Sequence, residues 1–506
     1  MFYLSKYLSN LVIKKRNEEQ AEKSYELGFF MEQQEGEPVD VASGSIPRAV
    51  LRQKNAYAYS VAYGIKPLTR YETGLAQAAK AKLIDVLANG DDDISMAIFE
   101  KAKGIAFQEL SNKLDQQRAS FIAYLLAHDT VGFGPFSVLL DDKASIEEIE
   151  VNSPGMPIVV HHVNYGMCQT NLRFTSERWF RHFINKMAYR AEKQLDEDFP
   201  IVDAQVEDMR IHAQIRPYAQ SGAAATIRLG NAKHAGIRFL LDTQTASADV
   251  LAYAWLAVDS GINILVSGAP ASGKTTLLNA LIAFVPRYLR VVTIEDDINE
   301  LDNASGLNNT VSLYGSRYGS AVSSKEQVLN ALRMRPDRIV VGEIRGSEAN
   351  DLFAGANLGI PFITTMHSNQ GAVEIVKKLL VSPMSVDQKS LTMLDLAFYM
   401  RQVDISHRVI ASAYEYRWLS RAETESGIEL SEENSLKVDE IVKEQRLDTG
   451  MLPFSKVIQA YASKKGITKR QALLEFNRRS AFLKKLAGDK SSDFNEAIQE
   501  YGELHA

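Results

Sequence analysis

Eight residues, Gly268-Ala269-Pro270-Ala271-Ser272-Gly273-Lys274-Thr275, constrain this chain more than any other feature. A short apolar run, Asn263–Val266, stands before them, and an apolar helical pattern, Thr276–Phe284, follows. Strand, glycine-rich turn and helix, in that order, are what the pattern G-x-x-x-x-G-K-[ST] needs in order to work. Glycines let successive backbone N–H groups turn inward around phosphate oxygens, and the helix N-terminus adds partial positive charge. Gly268 to Thr275, with Thr276 behind them, would cradle the phosphates. Lys274 would reach the β- and γ-phosphates, and Thr275 would offer its hydroxyl to Mg²⁺. The pattern predicts an α/β core that binds a nucleotide.

Strand–helix alternation continues through Val291–Ile294, Arg338–Val341 and Phe362–Thr365. These runs are short, apolar and β-rich, as strands buried on both faces of a parallel sheet should be. In an open α/β sheet the carboxyl ends of the strands face the ligand, and each of these runs ends on a chemically capable group. In Thr293-Ile294-Glu295-Asp296-Asp297, Glu295 stands where a carboxylate can polarise an attacking water. Arg338-Ile339-Val340-Val341-Gly342-Glu343 has the Walker B form with Glu in place of Asp; Glu343 would hold Mg²⁺ directly or through water. Arg345 follows at the same edge. His367, in Thr364-Thr365-Met366-His367-Ser368, can donate to a γ-phosphate. Whether Glu295 or Glu343 is the base stays open at this point.

A chain of 506 residues is too long for one core. Residues 1–45 read as a basic amphipathic helix (Lys6, Lys14, Lys15 and Arg16 beside Phe2, Leu4, Tyr7, Leu8, Leu11 and Val12) followed by an acidic tether. Such a helix can touch anionic lipid, fit a partner's groove or pack on the protein's own surface. Residues 46–128 read as a helical extension. Residues 129–235 read as a small α/β domain with strands at Ile146–Val151 and Pro157–Val163 and a helix around Trp179–Glu192. A linker, 236–248, leads into a core over 249–420. A hydrophilic hairpin and a helical region, opened by a Thr468/Gln471 capping box, fill 421–506. The single cysteine, Cys168, excludes an internal disulfide and a multi-cysteine metal site, and makes a reducing, intracellular compartment the default. No apolar run reaches the roughly 18 residues of a membrane span, and there is no convincing signal peptide. The net charge of −6 disfavours a protein that coats nucleic acid.

Taken together, the Walker A segment, Thr293-Ile294-Glu295-Asp296, Arg335-Pro336-Asp337-Arg338-Ile339-Val340-Val341-Gly342-Glu343-Ile344-Arg345 and Thr364-Thr365-Met366-His367-Ser368 resemble the secretion ATPase superfamily of type II and type IV systems. The resemblance runs from about residue 120 to 420. It implies a RecA-like P-loop NTPase core behind a small α/β N-terminal domain, ATP and Mg²⁺ as ligands, and a homohexamer. It also implies that Glu295 is the catalytic glutamate, Glu343 the Walker B acid and His367 the histidine-box residue. The stretch Asp208-Met209-Arg210-Ile211-His212 through Thr226-Ile227-Arg228 matches the family's arginine-finger segment, so Arg210 and Arg228 would bring positive charge to the γ-phosphate, in cis or in trans. Glu343-Ile344-Arg345-Gly346-Ser347-Glu348-Ala349 is similar to the archaeal form, and one cysteine is too few for the zinc module of the bacterial branch. Gly359-Ile360 departs from the family's Gly-His.

The resemblance thus implies a cytoplasmic ATPase, peripheral at the inner face of the cell membrane. It would dock on an integral platform protein, act indirectly on pilin-like subunits and power filament assembly or type II-like secretion, with no nucleic acid partner. The alternatives are a type IV secretion ATPase moving protein or DNA, and a nucleic-acid motor with the same core.

Overall fold

In this computed structural model the described residues are 29–31, 37–42, 48–52, 59–63 and most of 68–504. Within that last span, 89–95, 134–135, 141, 143–144, 175, 207–208, 220–221, 230–235, 297–300, 302–306, 308, 316–321, 369–370, 405–406, 421–427, 430–433 and 489–493 are not described. The amphipathic helix expected at the N-terminus lies outside the described residues. The chain divides into two compact units, 1–231 and 232–506.

The first unit is built on one sheet. Its early strands are β1 (Phe29–Met31), β2 (Glu37–Ala42), β3 (Arg48–Arg52) and β4 (Tyr59–Tyr63). Three helices follow, α1 (Arg70–Ala88), α2 (Met96–Ser111) and α3 (Gln116–Thr130). Then come β5 (Ile146–Val151), β6 (Pro157–His162), β7 (Gly166–Phe174), α4 (Glu177–Arg190), β8 (Ile201–Val206), β9 (Met209–Gln214) and β10 (Ala224–Leu229). The strand order is β2-β3-β4-β7-β6-β5-β10-β9-β8, with β1 beside β7. Ser176 caps α4 by accepting from Trp179 N, and Phe180, Phe183, Ile184 and Met187 recur at helical spacing to bury one face.

The stretch expected to be a helical extension therefore opens with strands, and the end of the expected tether is β-structured as well. Val50 and Val61 are fully buried, but Ser60 is buried beside Val61 and two arginines bound β3, so neither run shows the clean alternation that marks a strand. The three helices occupy the rest of that extension.

The second unit opens with α5 (Ala248–Ser260), capped by Ser247 and closed by Gly261 in the left-handed region, φ 78°. Ten of its thirteen residues are buried, as suits a helix at the centre of a core. The parallel strands are β11 (Ile264–Gly268), β12 (Val291–Asp296), β13 (Thr310–Gly315), β14 (Arg338–Val341), β15 (Phe362–His367) and β16 (Leu396–Gln402). They run in the order β13-β12-β14-β15-β11-β16. Antiparallel β17 (Arg408–Ser420) and β19 (Asn434–Lys443), flanked by β18 (Ile428–Glu429) and β20 (Arg446–Leu447), carry the sheet onward. Where it is described, the start of the 421–506 region, expected as a hydrophilic hairpin, continues this sheet in β18, β19 and β20. Helix α6 (Lys274–Ala283) follows β11, and α7 (Lys456–Lys465), α8 (Lys469–Gly488) and α9 (Phe494–Leu504) close the chain. Thr468 and Gln471 bond reciprocally at the start of α8. Among the described residues no helix is long and apolar enough to cross a membrane.

Candidate nucleotide site

The strand ends position the site. β11 is buried throughout and delivers Gly268 to the edge of the sheet beside His367, its register partner on β15. A Cβ on Gly268 would lie 2.6 Å from the Met400 carbonyl and against Ser272 Oγ, so only glycine fits there. The loop then turns through Ala271 (φ 58°) and Gly273 (φ 91°), and Gly273 opens α6. These backbone angles are what a phosphate-cradling turn requires. Lys274, 6% exposed, donates from Nζ to Ala269 O at 2.8 Å and to His367 Nδ1 at 3.0 Å. Thr275 and Thr276 are half-buried in the first turn of α6.

His367 links two motifs. An ammonium can only donate, so Nδ1 accepts and the ring proton sits on Nε2. Nε2 lies 3.0 Å from Glu343 Oε1, and the other Glu343 oxygen accepts from Arg345 Nη2. Burial holds the imidazole pKa below its ordinary value, and the Lys274 and Arg345 charges add to this against the pull of Glu343. The ring therefore stands between the lysine and the carboxylate, 3.0 Å from each. Glu343 itself stands just past β14, where Gly342 N donates to Ile294 O at 2.9 Å and Thr365 Oγ1 donates to Gly342 O at 2.7 Å.

Glu295 is 3% exposed near the end of β12, and its Oε1 accepts from Leu301 N at 2.8 Å. A Cβ on Gly342 would come 3.8 Å from its Cγ, so the two acidic strand ends are neighbours. Burial and the Glu295 charge raise the pKa of Tyr314, opposite it on β13. The structure thus gathers Lys274, Thr275, Glu295, Glu343 and His367 at one edge of one sheet. Arg210 and Arg228 belong to the other unit, where they are directly opposite each other on β9 and β10, with Glu148 of β5 opposite Arg228.

One contributor escaped the sequence reading. Arg408, at the start of β17, donates from Nε to Ala271 O at 2.7 Å and so holds the loop where its backbone is left-handed. No local motif marks it, because it lies 137 positions from its partner.

A family model described as type II/IV secretion system protein matches residues 131–405, more than half of the chain. The chain belongs to the type II/IV secretion system protein family. An uncharacterized protein of Methanocaldococcus jannaschii is 34% identical over 230 residues, 44% of this chain and 31% of that relative. The conjugal transfer protein TrbB of Rhizobium radiobacter is 30% identical over 238 residues, 46% of this chain and 70% of that one. Among solved structures, the VirB11 ATPase of the Brucella suis type IV secretion system is similar at 22% identity and a TM-score of 0.29, over 56% of this chain and 92% of that one. This member of the family thus spans about a third of the length of the first relative.

Proposed function

We propose that the chain is an ATP-hydrolysing motor subunit. The observation that carries this reading is the continuous contact Lys274–His367–Glu343, which ties the phosphate loop to the Walker B strand end. Lys274 would bind the β- and γ-phosphates and Thr275 the cation. Among the described residues no group of three or more His, Cys, Asp or Glu side chains could hold a metal. A hydroxyl and a carboxylate, Thr275 and Glu343, suit Mg²⁺, which takes oxygen ligands and commonly shares them with substrate phosphates. Bound there, Mg²⁺ would neutralise charge developing on the phosphates. Glu295, buried and held by Leu301 N, would orient and deprotonate the attacking water. His367 would pass a hydrogen bond to the γ-phosphate or back to Glu343. In a homohexamer, Arg210 and Arg228 would bring positive charge to a neighbouring subunit's γ-phosphate.

The motor would work peripherally at the cytoplasmic face of the membrane on an integral platform protein, moving pilin-like subunits into a filament or driving type II-like secretion. The Glu343–Ala349 segment and the helical C-terminus support that branch. A second reading, a type IV secretion ATPase, is favoured by the likeness to TrbB, whose name is that of a conjugal transfer protein.

Lys274→Ala should abolish ATP hydrolysis by the purified protein; an undiminished rate would overturn the assignment. Hydrolysis stimulated by single-stranded DNA, with binding that weakens steeply as salt rises, would favour the second reading.

A further inference from the structure

At the other end of β14, away from Glu343, the core holds a cavity that no nucleotide motif explains. Its volume is about 150 Å³, and it opens between α5, the segment after α6, and the closing helices α7, α8 and α9. An engineered cavity of about this volume accepts a benzene ring, so there is room for a small ligand group.

The lining is strongly cationic. Arg338, the first residue of β14, is 2% exposed and donates from Nη2 to Val258 O at 2.8 Å. Its Nε and Nη1 find no hydrogen-bond acceptor among the described residues. Burial pulls this guanidinium down to about 10, against the opposing charge of Asp259. That carboxylate is already engaged, with its Oδ2 2.6 Å from Nη1 of Arg479. Lys464 donates to the Asp259 carbonyl at 2.8 Å, and both burial and the Arg338 charge lower its pKa. Arg287 and Lys465 complete the cationic side, and Glu503 is the one further carboxylate in the lining.

Five cations and two carboxylates thus line a partly apolar recess walled by Trp255. Arg479 is also paired with Glu475 at 3.1 Å, and Lys464 and Lys465 are exposed, so the buried cation with open donors is Arg338. A buried cation without a counter-charge is costly, and water can satisfy its donors but cannot neutralise it. A ligand that supplied both acceptors and charge would remove the imbalance. A dianion with several oxygens, matched to converging guanidinium and ammonium groups, does this better than a single carboxylate.

We propose that this cavity binds a phosphate dianion, carried by a small soluble phosphate ester or by a lipid headgroup. The inference does not rest on the proposed function, because Arg338 and Glu343 lie at opposite ends of their strand. The test uses the full chain with its phosphate loop saturated by a non-hydrolysable ATP analogue and Mg²⁺, titrated with inorganic phosphate by calorimetry and thermal unfolding. Saturable binding should raise the unfolding temperature, and Arg338→Met should weaken binding at least tenfold. Should Arg338→Met fail to fold, the double variant Arg287→Gln/Lys464→Gln should show the same loss. Sedimentation with phosphatidylcholine vesicles that depends on both added phosphatidate and Arg338 assigns the headgroup, whereas binding of free phosphate without sedimentation assigns a soluble ester. Absence of saturable phosphate binding, or binding unchanged in every folded variant, overturns the proposal.

Discussion

The ammonium of Lys274 stands 3.0 Å from Nδ1 of His367, so the phosphate-loop lysine is bonded across the sheet to the residue that ends β15. The contact makes the histidine both a reader of the lysine and a neighbour of Glu343. A phosphate oxygen arriving at Lys274 would compete with the imidazole for the same donor and release the ring toward the γ-phosphate. Burial holds the His367 pKa below its ordinary value, so the imidazole resists protonation more than a free histidine does. The hydrolysis rate should therefore show no His367-dependent loss on raising pH from 6.5 to 8. It should fall only as the pH drops below about 6.5. His367→Gln should lower kcat by roughly 10²-fold while changing nucleotide affinity less than tenfold; a pure loss of affinity would show that the ring only binds.

Glu295→Gln isolates chemistry from architecture. Glutamine keeps an acceptor for Leu301 N, which donates at 2.8 Å, so the loop after β12 should stay in place. The expected outcome is a melting temperature within about 2 °C of the parent and a kcat lower by roughly 10²-fold or more. Rapid-quench measurement of a single turnover checks this, and a normal chemical step would transfer the base role to Glu343.

Gly268→Ala tests the close approach of two backbones. The added Cβ would meet the Met400 carbonyl at 2.6 Å, and β11 and β16 would have to part. Overpacking of this kind costs about 1–3 kcal/mol. Denaturant unfolding should show that loss, and equilibrium binding of a fluorescent nucleotide should weaken in parallel.

Arg210→Ala should suppress hydrolysis. If the arginine acts in trans, assemblies mixed with Lys274→Ala subunits should recover part of the activity, because one inactive partner supplies the arginine and the other the lysine. Mixtures no more active than their components would place the arginine's action within its own subunit.

Acid should weaken the first unit through His128. This ring lies 4.3 Å from both Phe99 and Tyr124, and burial, with help from Lys186 and Lys103, pulls its pKa down to about 3. The unfolded chain binds the proton from about 6.5 downward while the native ring resists it. Stability therefore falls as pH drops between those values, by about 1.4 kcal/mol per pH unit for this one group. His128→Leu should remove that slope in urea titrations at pH 6 and pH 4.

The strand ends that carry Lys274, Glu295, Glu343 and His367 were legible because each belongs to a short apolar run with a chemically unusual terminus, and the pattern is local. β5 was equally plain, since Ile146, Ile149 and Val151 mark its buried positions. β3 and β4 were not: they pair with each other, but arginines bound β3, and the other neighbour of β4 is the distant β7, where Tyr59 pairs with Cys168 and Val61 with Thr170. Pairing over such separations leaves no periodic trace near either strand. The Arg338 cavity was hidden for the same reason: its cations come from β14, α8, the end of α7 and the segment after α6, and only packing brings them together.

The bond from Arg408 to the Ala271 carbonyl bears on where this chain can be cut. The family match stops at residue 405, so a fragment trimmed to that boundary keeps every catalytic signature and loses the clamp on its own phosphate loop. Such a fragment would look complete to any motif search and would still hold its nucleotide in a slack grip. A fragment that keeps this hold on the phosphate loop therefore reaches into β17, where the sheet has already reversed direction.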